Sequence, residues 1–134
     1  MIRSSIRNER PADQVRWNKI DGWPDTVVKQ LRRKMGAYTR NGRAFHAKIG
    51  ITNAPYRRWS AGYRRHGWER MYVVYQSNSL EHVRDLERKL VNHIDLSKST
   101  GWFYNERNGG GGPTAHGGPY YVYIVTAPKY ARID

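Results

Sequence analysis

The segment LEHVRDLERKLVNHI, Leu80 to Ile94, constrains the fold more than any other part of the chain. Leu80, Val83, Leu86, Leu90 and Ile94 recur at helical spacing. The spacing predicts a helix with one apolar stripe, and that stripe has to be buried against another element. Asn78 and Glu81 form a capping box for its start. Runs of β-branched and aromatic residues lie around it. RMYVVYQS, from Arg70, and PYYVYIVT, from Pro119, both read as strands.

Further upstream, PDTVVKQLRRKM predicts a second helix. Asp25 serves as its cap, and Val27, Val28, Leu31 and Met35 form its apolar side. TRNGRAFHAKIGIT carries a turn signal, Asn41-Gly42, ahead of a strand. Along that strand Phe45, Ala47, Ile49 and Ile51 share a core-like face, and His46, Lys48 and Gly50 share a polar, open one. NAPYRRWSAGYRRHG predicts a short helix. Pro55 takes its first position, Asn53 or Ala54 caps it, and Tyr56, Trp59 and Tyr63 lie on one side. Residues 1–24 read as an irregular arm carrying Trp17 and Trp23, and Gly109 to Gly112 read as a connector.

The order helix, strand, helix, strand, helix, loop, strand predicts an α+β fold with a small antiparallel or mixed central sheet flanked by helices. With 134 residues the chain makes one globular unit. Residues 1–35 form an arm and helix packed on a domain spanning 36–134.

The charge points to a polyanionic partner, the alternative being a merely soluble basic protein. Lys and Arg number 24 against 11 Asp and Glu, a formal net charge of +13 at pH 7, alongside 10 tyrosines and 5 tryptophans. Cations and aromatic faces together suit the phosphates and bases of nucleic acid. No cysteine is present, so disulfides and cysteine-ligated zinc are excluded. No apolar run approaches the roughly 20 residues of a membrane span. The charged start, MIRSSIRNER, is unlike a signal peptide. An intracellular setting is expected: cytoplasm or nucleoid, or the host cell if the protein is viral.

Several side chains stand out chemically. Glu87 follows Val83 by four residues and precedes Leu90 by three, on or beside the core-facing stripe of its helix. A carboxylate there is costly unless it is paired or holds a metal. The plainer alternative is a boundary glutamate paired with Arg84 or Arg88. Arg58, near a helix start, opposes the helix dipole unless it holds an anion; the alternative is a solvated charge. Lys48 is either an exposed strand lysine or a partly desolvated one able to serve proton transfer. The five histidines lack the spacing of a zinc site, and the glycine run lacks the Lys-Ser or Lys-Thr of a P-loop. No G-x-S-x-G elbow is present.

Taken in order, these residues resemble the GIY-YIG nuclease family. Its second motif is present as Lys48-Ile49-Gly50 and continues ITNAPYRRW. That continuation matches the family's Thr and Asn and a helix whose arginine corresponds to Arg58. The family's metal-binding glutamate corresponds to Glu87 in DLERKL, and a later asparagine to Asn105 in FYNER. The first motif has two candidates. One is Gly36-Ala37-Tyr38, in a hairpin that pairs Tyr38 with Phe45. The other is Tyr123 in YYVYIVT, contributed from the far end of the chain as in a permuted sheet, and this one is favoured. Two departures stand out. Lys48 replaces a tyrosine, and Gly62 stands where a histidine is often found.

The resemblance implies a metal-dependent endonuclease acting on nucleic acid, DNA favoured over RNA. It would leave a 5′-phosphate and a 3′-hydroxyl. Glu87 would hold one Mg²⁺ or Mn²⁺ ion and Arg58 the scissile phosphate. A tyrosine, its pKa lowered by Lys48, would be the base, and Asn105 would support the site. Arg57, His46, Arg64 and Arg65 are expected to contact the nucleic acid, by a monomer or a homodimer. The alternative is a basic nucleic-acid-binding module derived from such a nuclease and lacking catalysis.

Overall fold

The computed structural model describes residues 11–39, 46–97, 102–103, 118–128 and 132. In chain order the elements are β1 (Val15–Ile20), α1 (Pro24–Thr39), β2 (His46–Thr52), α2 (Pro55–Ala61), β3 (Arg70–Ser77), α3 (Leu80–Ser97), β4 (Trp102–Phe103) and β5 (Tyr120–Ala127). Short 3-10 turns at Pro11–Gln14 and Tyr63–His66 complete the set. The fold is α+β, as expected. Its mixed sheet has the order β1-β3-β5-β2-β4. β5 runs antiparallel to both β2 and β3. β1 joins β3 in parallel, and β4, two residues long, joins β2 in parallel.

The C-terminal strand is therefore the central one. Seven of its eight residues are buried, all but Tyr121. Successive side chains of a strand point to opposite faces, so β5 supplies two cores. Tyr120, Val122 and Ile124 pack with Ile49 and Ile51 of β2 beneath α1 (Val27, Leu31, Met35) and α3 (Val83, Leu86, Leu90, Val91). Tyr123, Val125 and Ala127 pack on the other face with Val15, Met71 and Val73, covered by Trp59 of α2 and by Trp68. A bulge in β3 places one extra residue, Val74, between Val73, opposite Tyr123, and Tyr75, opposite Val122. It shifts the strand's phase, so Val73 serves one core and Tyr75 the other.

Four local readings change. The arm is not irregular throughout, since residues 15–20 form the edge strand β1. Only Val15 of that strand is buried, which leaves no clean alternation for a sequence reading to find. A tight turn links it to α1 at Gly22, whose φ of 138° favours glycine. At α3 the cap is Ser79, not Asn78, because the Ser79 Oγ accepts the His82 amide at 3.2 Å. At α1, Pro24 occupies the first position and Asp25 pairs with Lys89 of α3. Finally, residues 36–39 are helical, so no hairpin pairs Tyr38 with Phe45. Phe45, the Asn41-Gly42 turn and the glycine run lie outside the described residues, as does the side chain of Ile94.

Among the described residues no helix is long and apolar enough to cross a membrane.

Candidate functional site

The site begins with a close approach between two strands. Gly50 of β2 lies opposite Tyr123 of β5. A Cβ on Gly50 would stand 2.2 Å from the Tyr123 hydroxyl oxygen, so only glycine leaves room for the ring to lie across β2. The expectation of a wholly open polar face on β2 is corrected here: Gly50 is buried beneath the phenol, and His46 and Lys48 are half-buried.

Around the Tyr123 hydroxyl three further residues converge. Tyr63, on the 3-10 turn after α2, places its hydroxyl 2.6 Å away, and either group can be the donor. Arg58 of α2 donates from Nη1 at 3.5 Å, a long contact. Lys48, next but one to Gly50 on β2, holds its Nζ 5.5 Å from the centre of the Tyr63 ring, within cation–π range. The helix that brings Arg58 in is anchored by Trp59, which is fully buried and donates from Nε1 to Gln14 Oε1 at 3.1 Å. The same Gln14 oxygen accepts from Arg64 Nε at 3.1 Å. One buried amide thus fixes both the helix and the basic turn beyond it.

The electrostatics contradict one expectation. A tyrosine with its pKa lowered by Lys48 was anticipated, yet the Tyr123 phenol is pushed well above its ordinary value. Burial is the main cause, since it penalises the phenolate, and the neighbouring Tyr63 adds to it. The cation acting in the opposite direction is Arg58, and it offsets only part of the rise.

Tyr38 is on α1, stacked on Tyr72 with ring centres 3.9 Å apart and accepting from Asn18 Nδ2 at 2.9 Å. It belongs with the α1–α3 core and is not in the Tyr123 group. Arg57 and Arg65 are exposed on α2 and the turn that follows, and Arg64 is exposed apart from its contact to Gln14. His46 opens β2 opposite Ala127. Asn105 lies outside the described residues.

Glu87 is buried, 3% exposed. Its helix packs on the sheet face opposite the one that carries Tyr123. Of its two anticipated partners, Arg88 bridges Asp85 at 2.6 Å. Glu87 does keep a polar or electrostatic interaction of its own. Among the described residues no group of three His, Asp or Glu side chains could hold a metal. A divalent ion held by one carboxylate takes its other ligands from waters or phosphate oxygens, so an ion at Glu87 would need that buried carboxylate opened to them.

Tyr63 and Gln14 are the residues that the sequence reading did not assign. In the sequence Tyr63 falls on the aromatic side of the helix with Tyr56 and Trp59. Its position one residue after Gly62, a departure already noted in the sequence, is the available signal. For Gln14 there was none.

No family model matches the chain, and no curated protein or solved structure matches it.

Proposed function

We propose that the chain is a nucleic-acid endonuclease of the GIY-YIG type, acting on DNA in preference to RNA inside a cell. It would cleave a phosphodiester bond to leave a 5′-phosphate and a 3′-hydroxyl, and its activity would depend on Mg²⁺ or Mn²⁺. The observation that carries this reading is the convergence of Arg58, Tyr123 and Lys48 beside the Lys48-Ile49-Gly50 strand. β5 stands antiparallel to β2 with Tyr123 opposite Gly50, which is the neighbour a permuted first motif requires. Tyr63 supplies a hydroxyl next to the position where the histidine is missing.

The chain's own residues divide the work. Arg58 offers a planar, always-charged donor fork to a phosphate, and Lys48 adds a second cation on the same face. Tyr123 and Tyr63 share a short hydrogen bond through which a proton can pass. In the substrate-free site Tyr123 is neutral, so it orients or donates until a bound group draws its proton away. Glu87 is the carboxylate that would hold the ion, and no step is assigned to the metal.

The test is incubation with plasmid and with single-stranded DNA, with Mg²⁺, with Mn²⁺ and with a chelator. Cleavage that needs metal and is lost in Arg58→Ala and Tyr123→Phe is the expected result. No cleavage with either metal, or cleavage untouched by both substitutions, overturns the proposal. Glu87→Gln, which keeps the volume, decides whether that carboxylate takes part.

A second reading is a binding module without turnover. It is favoured by the burial of Glu87 on α3 and by the protonated state imposed on Tyr123. It predicts affinity that falls steeply with salt and no metal-dependent products.

A further inference from the structure

The face that carries Tyr123 extends toward β1, and there it becomes an exposed aromatic surface. Trp17 and Tyr56 remain 41% and 46% exposed and touch one another, with ring centres 5.8 Å apart. Scattered exposed aromatics are ordinary, but these two are fixed in place. Trp17 donates from Nε1 to the Tyr56 hydroxyl at 2.7 Å, and the Tyr121 ring meets Trp17 in a T-shaped contact at 5.4 Å. Lys19 holds its Nζ 5.6 Å from the centre of the Trp17 ring. Arg57 is exposed on α2 beside Tyr56.

The sheet register relates this surface to the Tyr123 group. Trp17 pairs with Val73, Val73 with Tyr123, and Tyr123 with Gly50, so all four lie in one row across the sheet. Trp17 is two strands from Tyr123, about 10 Å at the usual strand spacing. Tyr56 and Arg58 are two residues apart on one helix: Tyr56 joins the aromatic pair and Arg58 reaches the Tyr123 hydroxyl.

We propose that Trp17 and Tyr56 form a stacking platform for an unpaired base, on a strand whose neighbouring phosphate is held at Arg58. The substrate class is then single-stranded nucleic acid, or the single-stranded part of a branched one. In a duplex every base already has both faces stacked, whereas an unpaired base offers a free face to an aromatic ring. The net charge of +13 and the cations at Lys19, Arg57 and Arg58 favour this occupant over an apolar partner, because its phosphates match them. Rings held by a hydrogen bond and by packing have little freedom left to lose on binding. This inference rests on reading Arg58 as a phosphate contact, and it does not require cleavage.

The experiment is equilibrium binding of a fluorescent single-stranded oligonucleotide, and of the same sequence as a duplex, with chelator present so that nothing is cut. The set is wild type, Trp17→Ala, Trp17→Phe, Tyr56→Ala and Trp23→Ala. Trp23 is 69% exposed and meets the His82 ring of α3 in a T-shaped contact, on the other side of the sheet, so it serves as the control. Wild type should prefer the single strand. Trp17→Ala and Tyr56→Ala should weaken it on the order of tenfold, Trp17→Phe less, and Trp23→Ala not at all. Duplex binding should barely change. In wild type the oligonucleotide should also quench tryptophan emission, and Trp17→Phe should abolish most of that quench, a readout that holds even if Trp17→Ala fails to fold. Equal binding by wild type and Tyr56→Ala, equal losses on single strand and duplex, or a wild-type preference for duplex overturns the platform. Those outcomes leave the cleavage proposal standing. Conversely, a chain that binds single strands through Trp17 and never cuts refutes catalysis while keeping the platform.

Discussion

At the scale of single residues, the Tyr123 hydroxyl faces opposing demands. Burial and Tyr63 keep it protonated, while Arg58 favours its ionisation and does not prevail. If the phenolate is the base, its fraction near neutral pH is small and grows in proportion to hydroxide. The cleavage rate should then climb steadily with pH through neutrality and beyond, without levelling near pH 7. A plateau near neutrality in the pH–rate profile would assign the base to another group. Gly50 is the companion residue. With a Cβ only 2.2 Å from the phenol oxygen, Gly50→Ala must move the ring or the strand. The expected loss is about 1–3 kcal/mol, the usual cost of overpacking, read from urea unfolding, together with loss of cleavage. Lys48-Ile49-Gly50 and Arg58 were legible because a strand, a glycine and a following helix form a local pattern. That Tyr123 would be buried with a raised pKa was not, because the strand lying beside β2 comes from more than 60 residues further along the chain.

At the scale of elements, legibility followed how much of each element's surface is buried. α1 and α3 each bury a continuous stripe, and both were readable from spacing. β5 is buried on both faces, so its run of Tyr, Val and Ile was plain although its central place in the sheet was not. β1 buries one residue and gave no signal. A helix cap is set by one side chain, and neighbouring residues of the same type compete for it. Ser79, not Asn78, takes the His82 amide. Ser79→Ala should therefore cost about 1 kcal/mol in urea unfolding, and Asn78→Ala should cost less. The reverse order would place the cap one residue earlier. A clamp between α1 and α3 adds a pH dependence. Lys89 pairs with Asp25 and with Asp85, and the Asp85 carboxyl is held below its ordinary value chiefly by its hydrogen bond to Lys89. A depressed carboxyl stabilises the fold above its unfolded value and loses that contribution as pH falls through the folded one. Lys89→Met should therefore lower the melting temperature slightly at neutral pH, and the gap to wild type should close in acid.

At the scale of the whole molecule, the alkaline limit of stability combines several of these terms. Tyr38 on α1, Tyr75 on β3 and Tyr123 on β5 all have phenols raised above 10.0, each with burial as the largest cause. They lie in different elements, so folding holds three protons that the unfolded chain releases more readily. Above the unfolded value the unfolded state binds fewer protons, and stability must fall as pH rises. Overall charge acts in the opposite direction. The net charge of +13 shrinks as lysines deprotonate, and the repulsion within the folded chain eases. Tyr123→Phe separates the two effects, because it removes one titrating phenol and leaves the lysines alone. At neutral pH the variant should be less stable than wild type, having lost the hydrogen bonds to Tyr63 and Arg58. Above pH 10 the difference should shrink, since wild type then bears the cost of keeping a buried phenol protonated and the variant does not. Urea midpoints at neutral and alkaline pH, with phenolate absorbance followed in parallel, give the comparison. A stability difference constant across that range would mean that the Tyr123 phenol titrates as it does in the unfolded chain, and the burial that defines the candidate site would be wrong.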